Sequence, residues 1–433
     1  MFYYLLMLVM SVFIGTKLLA VPTPVAQLTI YRLLIFMAPL LLAHQYFRKQ
    51  HSVKILAKAD STRAWLMYVF WWCMGLVSVI WVKDIKLWFQ AIFLLTIGVL
   101  MITALYLWLN QLRDWYRIIY GAWVMMCFQI LWGFYEIVTG NYLFADLGKL
   151  DRYRTFSSQP MTRIPITYFA NQNDYATFLL ASLSIMLICY HRTQNVWLRL
   201  TIIFSGIASS YLIYRSGSRM ALLMLILFII LLSAFQFRVV FNRKIIFNTI
   251  GLGLIVLVAI FVIKPALWDK LIHMILSLDA GRVSGDGARV NLYKNGFVFI
   301  GETLGRGVGA GNIEHWMGQF PYYPVVGLVN IHNWWLEILV GYGILVFMSY
   351  VMIYILLARR LFLMTKFSPR QEQYTAQALL IFMLIFVFSS ITSASNMLIE
   401  WHWCIFALLI SYIKIHESTI RTISKPVDYK VKA

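Results

Sequence analysis

The chain has 433 residues, of which 61% are hydrophobic and 12% charged, with a mean hydropathy of +0.75. A water-soluble domain carries about 25% charged residues, so this chain has half the charge needed to cover a globular surface; soluble enzymes, disordered chains and collagen-like chains are excluded. What remains is an all-α polytopic membrane protein, and the net charge of +20 reads as basic residues sorted to one side of a bilayer. No Lys/Arg stripe interleaved with stacking aromatics occurs outside the apolar runs, so a nucleic-acid partner is not expected.

About twelve transmembrane helices are expected from apolar runs of bilayer length, near 2–20, 25–43, 64–82, 87–109, 115–138, 174–191, 197–214, 219–236, 244–264, 333–358, 376–395 and 398–414. The first run lacks a basic leading segment and reads as a retained span rather than a cleaved signal. Lys and Arg gather at 48–63, 113–117, 192–199, 238–244, 359–370 and 414–432, which are alternate connections, and the positive-inside rule then places both termini in the cytoplasm. The chain divides into spans 1–9 over 1–264 with an outer loop at about 139–173, a large extracytoplasmic loop over 265–332, spans 10–12 over 333–415 and a basic cytoplasmic tail over 416–433. The loop over 265–332 is expected to be partly helical and catalytic, since a loop of that length is usually functional. Cys73, Cys127, Cys189 and Cys404 fall in or beside apolar runs without metal-ligand spacing, so neither a disulfide framework nor a zinc site is expected.

The outer loops carry the groups with chemistry in them. The first holds Arg152, Arg154 and Arg163, followed by Asn171-Gln172-Asn173-Asp174 at the mouth of span six. The Asn/Asp run is a natural helix start; sugar binding is its functional alternative. Arg215-Ser216-Gly217-Ser218-Arg219 makes a tight outer turn, and two guanidiniums held at one depth suit a pyrophosphate, each gripping two oxygens in a planar fork. Snorkelling to lipid headgroups competes with that reading. In the large loop, Asp286 can cap a helix starting at Gly287, with Arg289 in its first turn, where free N–H groups and a positive dipole end suit phosphate. An interfacial helix with a snorkelling arginine is the alternative. The segment Gly305-Arg306-Gly307-Val308-Gly309-Ala310-Gly311-Asn312 alternates glycines that allow close backbone approach, and a plain flexible turn fits it as well.

Ile331-His332-Asn333-Trp334-Trp335-Leu336-Glu337 opens the tenth span. A histidine at a helix mouth can take a proton from a sugar hydroxyl near neutral pH, and Glu337, one turn deeper, can orient the histidine or the acceptor. A histidine beside a Trp belt is the plainer alternative. Within the membrane, Arg32, Glu136 and Glu400 are expected to face a cavity, and the polar run Ser389–Asn396 to line one or to pack on a neighbour. A phosphate-binding GxxxxGK[ST] loop, HExxH, GxSxG and an Asp-x-Asp pair are all missing from the sequence. No cofactor is expected, and arginines are expected to neutralise phosphate where a metal often does.

These features together resemble the O-antigen ligase/polymerase superfamily, which includes lipid-A-core O-antigen ligases, repeat-unit polymerases and teichuronic acid polymerases. The resemblance rests on the bracketed Arg215–Arg219 turn, the late Gly-rich "GRGVGAGN" loop and "HNWWLEILVGYGILVF", and its specific part covers residues 163–220 and 285–347. It implies a metal-independent, inverting membrane glycosyltransferase of the bacterial cytoplasmic membrane, with its active site facing outside and an undecaprenyl-diphosphate-linked glycan as donor. It implies His332 as the essential histidine, with Arg215, Arg219 and Arg289 on the pyrophosphate. Arg163, Asn173, Asp174, Asn333, Glu337 and Arg306 are then substrate-binding candidates, although Asn171-Gln172-Asn173 stands where the family has Asn-Pro-Asn. The expected activity is polymerisation of lipid-linked repeat units into a cell-surface polysaccharide on a glycan or lipid-linked acceptor, alongside a chain-length regulator and a flippase. Ligation to an acceptor such as lipid A core is the first alternative, and a lipid-linked oligosaccharide flippase or other transporter the second. Transporters place their key polar groups near the midplane, whereas the Arg/His set here is expected at the outer surface.

Overall fold

The computed structural model describes residues 1–15, 17–18, 20–21, 28–48, 55–151, 154–236, 285–325, 327, 329–391 and 399–423. Among these residues the protein is all-helical, its one extended pairing being an isolated bridge between Val21 and Leu28. The helices are α1 (Phe2–Phe13), α2 (Ile30–Phe47), α3 (Asp60–Val77), α4 (Ile85–Trp108), α5 (Leu112–Thr139), α6 (Leu147–Leu150), α7 (Gln172–Arg192), α8 (Val196–Arg215) and α9 (Arg219–Gln236). They continue with α10 (Gly285–Glu302), α11 (Ile313–Gln319), α12 (Trp334–Phe367), α13 (Arg370–Ser389) and α14 (Glu400–Ile423).

Nine helices among the described residues are long and apolar enough to cross a membrane, which makes this a polytopic membrane protein. The other three expected spans differ, each in its own way. α1 is apolar but only 12 residues long, ending at Phe13 rather than near residue 20. The run 244–264 lies outside the described residues, as does the loop over 265–284. The last span is present as α14, but it is not an apolar cylinder: it runs to Ile423 and carries Glu400, His402, Lys414 and Glu417. Span eleven stops at Ser389, and residues 392–396 of the polar run beyond it lie outside the described residues.

Side-chain caps set several helix starts. Asp84 accepts from the amides of Lys86 and Leu87 at the head of α4, and Asn195 accepts from Leu198 at the head of α8. Alternation of the spans puts the connections 81–84, 140–171, 216–218 and 303–333 at one end of the bundle, here called the loop end. The short connections 109–111, 193–195 and 368–369 lie at the other end. The ring of α2, α8 and α9 turns large apolar side chains outward, as helices facing hydrocarbon must. α14 runs through the interior, with residues 401–415 all buried against α4, α3, α1 and α5.

The charged residues Glu400, Lys414 and Glu417 can sit on so central a helix because each is matched by another element. Glu400 pairs with Arg32 of α2 at 2.8 Å, with both side chains buried. At the far end, Lys414 donates to the last carbonyls of α4, at Tyr106 and Leu107, and to Asn110. Glu417 accepts from the amides of Asp60 and Ser61, the open N-terminus of α3. Glu136 of α5, also fully buried, accepts from the amides of Ile166 and Thr167 at 2.8 Å each. The three ionisable residues expected to face a cavity are therefore engaged with protein groups, because an unmatched charge in a water-free interior is costly. Replacing Arg32 or Glu400 singly with Leu leaves its partner buried alone and is expected to cost roughly 3–5 kcal/mol, whereas the Arg32→Leu/Glu400→Leu double variant recovers most of it. Thermal unfolding in detergent measures this; a double variant as unstable as the sum of the singles would contradict the account.

Candidate functional site

The Gly-rich segment 305–312 organises the loop end. α12 is interrupted at Gly343, whose backbone (φ 86°, ψ 174°) leaves the helical region. Such a break exposes carbonyls and an amide that a membrane-embedded helix must satisfy otherwise. The Gly-rich segment supplies them: Val308 N–H donates to Val340 O at 2.8 Å, Gly309 N–H to Gly341 O at 3.0 Å, and Ile344 N–H donates to Gly305 O at 2.8 Å. Two chains this close leave no room for a side chain. A Cβ on Gly307 would lie 2.7 Å from Gly343 N and 2.8 Å from Val340 O, and Gly307 has φ +81° besides.

The other edge of the segment is fastened to the turn between α3 and α4. Ser78 Oγ accepts from Ala310 N–H, and the Trp81 indole N–H donates to Gly307 O, both at 3.1 Å. The Asn312 amide brackets the start of α4, its oxygen accepting from Lys83 and Asp84 N–H and its nitrogen donating to Asp84 O. Close backbone approach was the sequence expectation for these glycines; the broken helix they approach and the role of Asn312 were not legible, since their partners lie far off in sequence.

α10 and α11 cover this strap. Leu292, Phe299, Met317, Val308, Ile331 and Val340 form a small core. Asn295, fully buried, ties α10 to the loop beyond α11 by accepting from Tyr322 and Tyr323 N–H and donating to Tyr323 O. Tyr322 donates to the Glu302 carboxylate, which raises the Tyr322 phenol above its usual range. α10 opens at Gly285, so Asp286 falls inside its first turn instead of capping a helix begun at Gly287.

His332 follows this core directly. Ile331 and Trp334 are buried, the indole of Trp334 donates to Tyr350 OH at 2.9 Å, and its backbone N–H donates to Ser390 O at 3.1 Å. Between these anchors His332 is half-buried in the left-handed region (φ 51°), its N–H donating to Asn330 Oδ1. A non-glycine residue there is uncommon and is held by its surroundings. Asn333 is the N-cap of α12, its amide oxygen accepting from Trp335 and Leu336 N–H. Glu337 is buried in the first turn.

The arginines divide into two groups. Arg163 donates to Phe156 O, Ile137 O and Val138 O, closing the C-terminus of α5. Arg215, the last residue of α8, donates to Tyr211 OH and to the carbonyls of Pro160, Met161 and Arg163, so it fastens the connection between α5 and α7 to the turn at 216–218. Arg219 is exposed at the head of α9, Arg289 is half-buried on α10, and neither has a hydrogen-bond or ion-pair partner among the described residues. Arg306 is exposed, its guanidinium 5.6 Å from the centre of the Trp81 ring. Arg152 lies outside the described residues.

In the connection between α5 and α7, the helix-start reading holds for Asn171, which caps α7 by accepting from Asn173 and Asp174 N–H. Its amide also donates to the buried Asp174 carboxylate at 2.8 Å, and Lys17 lies within electrostatic range of that carboxylate. Asn173 is half-buried, its carbonyl accepting from Thr177 Oγ1. His332, the Arg215–Arg219 turn, Arg289, Arg306 and the Asn171–Asp174 segment all lie at the loop end. Among the described residues no three His, Cys, Asp or Glu side chains converge to hold a metal ion.

A family model described as O-antigen ligase matches residues 204–351, a stretch that runs from α8 through the Gly-rich strap into α12. The teichuronic acid biosynthesis protein TuaE of Bacillus subtilis (strain 168) is 26% identical over 417 residues, covering 94% of this chain and 83% of TuaE. The chain is thus similar to an O-antigen ligase model over about a third of its length and to a teichuronic acid biosynthesis protein over most of it.

Because the strap leaves no space at Gly307, Gly307→Ala is expected to lower stability by ~1 kcal/mol or more and to open the loop end to protease. Gly301→Ala, at a helical position with nothing within 4 Å, is the matched control and is expected to behave as wild type. Limited proteolysis with thermal unfolding checks both; equal behaviour of the two variants would contradict the strap.

Proposed function

We propose that the protein is a multi-pass glycosyltransferase of the bacterial cytoplasmic membrane that polymerises undecaprenyl-diphosphate-linked oligosaccharide repeat units, with both termini in the cytoplasm and the loop end outside. The observation that carries this reading is the gathering, at one end of the bundle, of a half-buried histidine on a constrained backbone and of two arginines, Arg219 and Arg289, that have no hydrogen-bond or ion-pair partner among the described residues. The opposite end carries Arg113, Arg117, Arg192, Arg199, Arg359 and Arg360 close to the spans, which supports a cytoplasmic assignment for it.

The chemistry follows from the donor. The acceptor hydroxyl oxygen attacks the anomeric carbon as the bond from that carbon to the diphosphate oxygen breaks. The departing undecaprenyl diphosphate is stable as an anion, so charge neutralisation can replace protonation by an acid. Arg219 and Arg289 supply that positive charge, and Arg215 holds the first outer loop beside the turn that presents Arg219. His332 accepts the proton of the attacking hydroxyl as general base. Glu337, Asn333, Arg306, Asn173 and Asp174 are secondary substrate-binding candidates, and the caps made by Asn333 and Arg163 make those two positioning residues first. The arginines do what a divalent ion would do, so EDTA leaves the rate unchanged under this reading. A single displacement inverts the anomeric centre. The product is a cell-surface polysaccharide of the kind that the name of TuaE concerns, made beside a flippase and a chain-length regulator.

The description of the matching family model favours one second reading, transfer of the lipid-linked glycan to a different acceptor such as lipid A core. Polysaccharide length in cells lacking the gene separates the readings. The expected outcome is single repeat units on the lipid carrier, rescued by wild type and not by His332→Ala, with activity lowered at least ~100-fold. Full-length polymer trapped on the carrier would instead establish the ligase. Units retained on the cytoplasmic face would overturn both in favour of transport.

A further inference from the structure

Leu147, Gly148, Asp151, Arg154, Phe156 and Ser157 line, with the end of α5 and Arg163, an open cleft of about 510 Å³, in which only Arg163 has been given a role above. That volume is in the range of small-ligand sites. Two of its lining charges are engaged in building it. Asp151 accepts from Thr155 N–H at 2.7 Å and Phe156 N–H at 2.9 Å, and Arg163 closes the end of α5. The third, Arg154, is different. Its guanidinium is exposed and has no hydrogen-bond or ion-pair partner among the described residues, while its backbone is held at φ 53° by donation of its N–H to Asp151 O. A non-glycine residue costs of order 1 kcal/mol in that conformation, and such outliers gather where a side chain must be presented to a ligand. Among the described lining residues Asp151 and Arg163 already meet groups of the loop and of α5, which leaves the Arg154 guanidinium to meet an anion. The exposed Ser157 hydroxyl adds a neutral hydrogen-bonding group of the kind that sugar recognition uses.

We propose that this cavity is a second glycan subsite, which takes a carboxylate-bearing sugar of the acceptor chain with its carboxylate paired to the planar fork of Arg154. The proposal rests on the glycosyltransferase reading above. It also accounts for the connection of Arg215 to Pro160, Met161 and Arg163: the wall of the acceptor cavity and the turn that presents Arg219 are fastened together, so donor and acceptor ends are held in register.

The test uses the full chain in nanodiscs of zwitterionic lipid and measures binding, not transfer, so it stands apart from the outcome of the polymer-length experiment. The probes are a hyaluronan tetrasaccharide, which carries glucuronate, and neutral chitotetraose. Wild type is expected to bind the acidic glycan at least ~10-fold more tightly, in keeping with a charge-assisted bidentate pair. Arg154→Gln is expected to abolish that preference and Arg154→Lys to retain part of it. Arg154→Gly, which relieves the backbone, is expected to lose the preference equally, which separates the guanidinium from the fold of the loop. Equal binding of the two glycans by wild type, or an unchanged preference in Arg154→Gln, would overturn the proposal. So would loss of acidic-glycan binding when phosphatidylglycerol is added to the nanodisc, since the cavity would then belong to lipid headgroups.

Discussion

Helix α12 cannot break at Gly343 inside a membrane bundle unless something replaces the hydrogen bonds lost there, and the backbone of residues 305–309 is what replaces them. From that repair follows most of the architecture of the loop end. The strap must be glycine-rich because two main chains meet without intervening side chains. It must be held from its other edge, which Ser78, Trp81 and Asn312 accomplish. Fixed on both edges, it gives α10 and α11 a floor on which to bury a small apolar core, and that core holds Ile331. His332, one residue further, takes its position from the same chain of contacts, with Trp334 and Ser390 anchoring it from the bundle side.

A second constraint operates inside the bundle. α14 is enclosed over residues 401–415 and carries charges towards both of its ends. Each charge meets a group that would otherwise be unsatisfied: Arg32 for Glu400, the terminal carbonyls of α4 for Lys414, the first amides of α3 for Glu417. Glu136 does the same for the amides of Ile166 and Thr167, so a buried carboxylate shapes the loop between α5 and α7 from the bundle side. Arg163 and Arg215 complete that loop from above by donating to carbonyls. The polar residues of the membrane interior thus act in the scaffold, and the chemistry proposed for the protein sits beyond them at the loop end.

Hydropathy was enough to read nine spans, because lipid contact imposes an apolar run on any helix that faces it. The turn between Arg215 and Arg219 and the helix start at Asn171 were legible for a related reason, since caps and tight turns are local chemistry, whereas the cap at Asn333 was not read. What was not legible is long-range. Arg163 and Arg215 read as ligands of a sugar or a phosphate, yet much of their donor capacity meets backbone carbonyls that no local pattern marks. Asn312 carried no signal at all, its partners being 228 and 229 residues away. The enclosed position of α14 was hidden because a central helix in a bundle needs matched partners more than it needs hydropathy.

The account stands or falls on a direct attack by an acceptor hydroxyl whose proton passes to His332 while arginines hold the departing diphosphate. The most direct measurement is the anomeric configuration of the bond formed in a single round of transfer, compared by NMR with that of the same sugar in the diphosphate donor. Inversion is the result the account predicts. Retention would contradict it, because a single displacement from the face opposite the diphosphate cannot retain the configuration.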